Sequence, residues 1–92
     1  MIKERKAVSQ HIVEEGRFRY VFGWDQPLQS FFLQVHDSEL VDPENNPVHW
    51  VGATADTKMY EVEDLCRSAQ VFGLHISHEM RATLYGEKDD GV

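Results

Sequence analysis

Arg17-Phe18-Arg19-Tyr20-Val21-Phe22, followed after a short break by Ser30-Phe31-Phe32-Leu33-Gln34-Val35-His36, decides the fold. Both stretches are built from aromatic and β-branched residues and alternate with a period of two. In the first, Phe18, Tyr20 and Phe22 share one face while Arg19 and Val21 take the other. In the second, Phe31, Leu33 and Val35 share a face and Phe32, Gln34 and His36 oppose them. Gly23 and Pro27 bracket the break, which holds Trp24 and Asp25, so the two stretches read as strands joined by a loop.

Upstream, residues 2–13 allow two readings. Val8 and Ile12 stand four apart, as on a helix face, but residues 8–13 running into Glu14-Glu15-Gly16 also suit a strand that enters a tight turn. Residues 1–16 are therefore an edge strand or a helix, the strand being favoured. Downstream, residues 37–47 combine two prolines, two asparagines and four acids, which marks a loop. Residues 48–52 make a short third strand that Gly52 and Ala53 end.

Val62, Leu65, Cys66, Ala69 and Phe72 then form an apolar stripe at helical spacing, with Glu61, Glu63 and Asp64 in the first turn and Gly73 as a stop. Ser77 is placed to cap a second helix through Leu84 or Tyr85, closed by Gly86, with a frayed tail over residues 87–92. Strands grouped ahead of helices predict an α+β domain: a small antiparallel sheet of three or four strands followed by two C-terminal helices packed on one face. Leu33, Val35, Leu65, Ala69 and Phe72 are its expected core, each worth roughly 1.5–3 kcal/mol on burial.

The 92 residues allow one domain, and a hydrophobic share of 41% with 27% charged residues is globular composition. No run approaches the length of a membrane span, and the mixed-charge start, Met1-Ile2-Lys3-Glu4-Arg5-Lys6, does not read as a secretory signal. The lone cysteine, Cys66, has no internal disulfide partner, which with the foregoing places the chain in the cytoplasm.

The net charge of −7 is unevenly spread. Residues 1–19 are net +2, while residues 20–64 carry nine acids against Lys58 alone. That middle would repel phosphate, so direct nucleic-acid binding is not expected. A basic protein partner suits the charge, although an acid excess also serves simple solubility.

Catalytic and metal-ligating patterns are sparse. His75-x-x-His78-Glu79 is the local cluster with ligand-type side chains, and with Cys66 or His49 it would offer zinc a donor set; surface imidazoles are the plainer reading. Cys66 falls on the inner stripe of the first helix, where a thiol acts as a small apolar side chain. No Gly-x-Ser-x-Gly or phosphate-binding glycine loop occurs.

The segment from Gly23 to Ser30 offers either an exposed recognition tip at Trp24 and Asp25 or a tryptophan folded back over the sheet edge. Phe32, His36, His49 and one of Trp24 or Trp50 are expected to cluster on the sheet face away from the helices. The functional expectation is a non-enzymatic protein-interaction domain, binding a partner or itself as a homodimer. Its surface would comprise Trp24, Asp25, Phe32, His36, His49 and Trp50 with the acids Asp37, Glu39, Asp42 and Glu44 of the loop. An acidic inhibitor that imitates nucleic-acid phosphates is the alternative, and a metal-dependent enzyme using His75, His78 and Glu79 the second. No cofactor is expected.

Overall fold

In the computed structural model, which describes residues 8–40, 47–52 and 54–91, four strands form an antiparallel sheet in the order β1-β2-β3-β4. These are β1 (His11–Glu15), β2 (Phe18–Asp25), β3 (Ser30–Asp37) and β4 (His49–Val51). Two helices follow, α1 (Val62–Val71) and α2 (His78–Asp90), after a 3-10 turn at Ala55–Thr57. This is the α+β arrangement expected from the sequence; of residues 1–16, His11–Glu15 form a strand rather than a helix, and residues 1–7 lie outside the described residues.

Pairing His11 with Phe22 and Val13 with Tyr20 sets one register, and pairing Phe22 with Leu33 and Trp24 with Phe31 sets the next. The alternation in the two founding stretches thus gives the sheet two distinct faces. On the helix side, Tyr20, Phe22, Trp24, Phe31, Leu33 and Val35 meet Val62, Leu65, Cys66, Ala69, Leu74, Ile76 and Leu84 in one core. Helix α1 lies over β3 and α2 over β2. The Tyr20 hydroxyl donates to the Phe72 carbonyl at 2.7 Å, satisfying its one polar atom where the ring is buried. Between the helices, the Tyr85 hydroxyl donates to the Glu63 carboxylate.

Three boundaries differ from the sequence reading. Strand β2 does not stop at Phe22 but runs through Gly23 and Trp24 to Asp25. Gly23 is required there by close approach: a Cβ would overlap the Ser9 carbonyl oxygen, because the chain before β1 presses onto β2 at this point. The Ser9 hydroxyl, 2.8 Å from the Trp24 nitrogen, accepts that N–H in the place of a carbonyl. Strand β3 gains Asp37, which the sequence reading gave to the loop.

The third difference is the C-terminus, which is helical to Asp90 instead of ending at Gly86 and fraying. Its last turn is held by tertiary bonds. The Glu87 carboxylate lies 2.8 and 2.9 Å from His11 Nε2 and accepts the Ser9 hydroxyl at 2.9 Å, while Lys88 donates to the Tyr60 carbonyl. Such contacts outweigh the cost of one interior glycine, about 1 kcal/mol. The Ser77 cap is as expected, its hydroxyl accepting the Met80 N–H at 3.1 Å.

Candidate docking face

Pairing places the side chains of the sheet's outer face in cross-strand rows. Asp25 stands opposite Ser30 and bridges to Val8; Gly23 stands opposite Phe32; Ile12, Val21, Gln34 and Trp50 follow in line; and Glu14, Arg19 and His36 form the next row. Neither helix packs on this side. Val21 and Phe32 are nonetheless 5% and 6% exposed and form an apolar floor. Ile12 on β1 and Trp50 on β4 flank it, at 60% and 55% exposure.

A cleft of about 120 Å³ opens on this face, lined by Val8, Gln10, Asp25, Leu28, Phe32, Gln34 and Trp50. An apolar cavity of about 150 Å³ takes up a benzene ring, so a cleft of this size admits a single side chain. Ligand pockets for whole small molecules or cofactors run to several times that, about 300–1,000 Å³. Asp25 is the charged residue among those lining it; its Oδ1 accepts the Leu28 N–H at 3.1 Å, which orients the carboxylate.

Two members of the expected surface lie elsewhere, and both are corrections. Trp24 is not an exposed tip: it is 2% exposed on the helix side of β2, edge-on to Phe31 at 4.8 Å, with its indole N–H donating to Gln26 Oε1 at 2.7 Å. Extending β2 by two residues beyond the expected loop start is what turns it inward. His49 pairs with Val35, so its ring points to the helix side and stacks on Phe72 at 4.4 Å. Phe32, His36 and Trp50 do share the outer face, and Asp25 joins them.

The acids separate as well. Asp37 is buried and bound by the Arg17 guanidinium, which, as hydrogen-bond partner, holds its carboxyl below the usual carboxylate range. Glu39 is exposed and paired with the same arginine at 2.8 Å. Asp42 and Glu44 lie outside the described residues. Asp37 therefore serves the fold, tying the β1–β2 turn to the end of β3, rather than offering a free charge to a partner.

His75, His78 and Glu79 are exposed at the start of α2, and among the described residues no group of three metal-binding side chains converges. Cys66 is in the core, and burial pushes its thiol up, away from the reactive thiolate. Ser9, His11 and Glu87 do converge, a cluster that sequence reading missed because its members stand up to 78 positions apart. Its geometry is that of a staple. The carboxylate sits between the other two, and the serine hydroxyl is engaged by Glu87 and the Trp24 N–H instead of by the imidazole, so no nucleophile–base pair forms.

No protein-family model, curated protein or solved structure matches this chain. Among the described residues no helix is long and apolar enough to cross a membrane.

Proposed function

We propose that this chain is a non-enzymatic interaction module that docks another protein on the outer face of its sheet. The observation that carries the reading is Trp50. A tryptophan more than half exposed, beside a cleft and across a buried apolar floor from an exposed isoleucine, is costly to leave in water and productive to cover. Interfaces concentrate their energy in such anchors, with aromatic residues at the centre and polar groups at the rim. Here Gln10, Glu14, Arg19 and His36 supply the rim around Ile12, Val21, Phe32 and Trp50.

Photo-cross-linking in cells tests the reading. A benzophenone amino acid placed at position 12 or 50 is expected to capture the same protein, and one placed at Val71, still more exposed on α1, is not. Equal capture from all three positions, or none from 12 and 50, overturns it. Sedimentation of the purified chain over a range of concentrations separates a foreign partner from a second copy, since self-association through this face is lost in Trp50→Ala.

A further inference from the structure

Resting on the docking reading, we infer that the cleft beside Trp50 is a receptor for one cationic side chain of the partner, arginine in preference to lysine. Its apolar lining, Val8, Leu28, Phe32 and Trp50, suits an alkyl stem, and Asp25 is the charged residue that lines it. One oxygen of that carboxylate accepts the Leu28 N–H, and among the described residues the other accepts no hydrogen bond.

Charge fits the same occupant. Lys58, next to the Met59 that bridges Phe31, and Arg19, six residues along β2, are the described cations of this region, and among the described residues Asp25 is in no ion pair with either. Guanidinium is favoured over ammonium for a geometric reason. It is planar and weakly hydrated, stacks on an indole, and presents several donors to a carboxylate.

Small probes test this without knowing the partner. Trp50 fluorescence is followed while n-butylguanidinium, its neutral isostere n-butylurea, and n-butylammonium are added separately; Trp50→Phe supplies the background from Trp24. The expected order of affinity is butylguanidinium, then butylammonium, then butylurea. Asp25→Asn is expected to weaken butylguanidinium by about tenfold, the scale of one charge-assisted hydrogen bond, with little effect on butylurea. Asparagine keeps an oxygen for the Leu28 N–H, and an unchanged circular dichroism spectrum verifies the fold.

Equal binding of butylurea and butylguanidinium, no binding of either, or indifference to Asp25→Asn overturns the cation receptor. If the probes fail while cross-links from positions 12 and 50 persist, the docking face stands and its anchor is not cationic. If the cross-links fail, the docking reading falls irrespective of the probes.

Discussion

Trp24 and Trp50 each stand next to a residue that also bears on the surface, Asp25 and His49, and they end on opposite faces of the sheet. Register alone separates them. Trp24 opposes Phe31 and is driven into the core, whereas Trp50 opposes Gln34 and faces out. Their truncations are expected to differ sharply. Trp24→Ala should cost about 3–5 kcal/mol, as for other fully buried aromatic side chains. Trp50→Ala should cost no more than about 0.5 kcal/mol, as at surface positions. Urea denaturation of both variants measures the contrast, and a large loss for Trp50→Ala would mean that the side chain is structural and not held in reserve for a partner. The sequence does not distinguish the two tryptophans, because Gly23 reads as a strand break. It breaks nothing here: the missing Cβ is what lets the Ser9 backbone settle against the strand.

At the scale of elements, α2 is the instructive case. Nothing local would carry a helix through Gly86 into Glu87-Lys88-Asp89-Asp90, a polar run without an apolar stripe. The staple from Glu87 to His11 and Ser9 supplies the missing stabilisation, and it also fixes the chain ahead of β1. Two substitutions separate propensity from tertiary support. Gly86→Ala should stabilise by about 1 kcal/mol, since the residue is helical and an added Cβ meets nothing within 4 Å. Glu87→Ala should destabilise by about 1–3 kcal/mol by stranding the Ser9 hydroxyl and the His11 ring. Amide exchange should rise together in the last turn of α2 and at Ser9, and exchange confined to the helix end would show that the staple does not hold β1. The founding strands, the α1 stripe and the Ser77 cap were legible because each is decided within a few residues. The end of α2, the inward turn of His49 and the role of Asp37 were not, because their partners lie 14 or more positions away.

Across the whole molecule, acid stability brings the two faces of the sheet into one account. His36 is half-buried on the outer face; burial, and after it the charge of Arg19, lower its affinity for a proton below the ordinary histidine value. The unfolded chain therefore binds that proton more readily. Stability is complete above the ordinary histidine range of about 6.5 and declines as pH falls through the lowered folded value. Asp37 acts in a second, lower window. The Arg17 hydrogen bond depresses its pKa in the fold, so its contribution is complete above the ordinary aspartate value of about 3.9 and is lost as pH falls through the folded value. Unfolding free energy measured against pH should thus fall in two steps on acidification. His36→Gln should flatten the upper step and leave the lower one, and Asp37→Asn should shrink the lower step to the part owed to Glu63, whose carboxyl the Tyr85 hydrogen bond also lowers, while reducing stability at neutral pH. A profile in which His36→Gln leaves the upper step intact would overturn its assignment to His36. Because His36 shares the outer face with Trp50, covering that face with a partner should bury the imidazole further. A lower apparent histidine pKa in the complex, read by NMR, would place the partner over Arg19 and His36 as well as over the cleft.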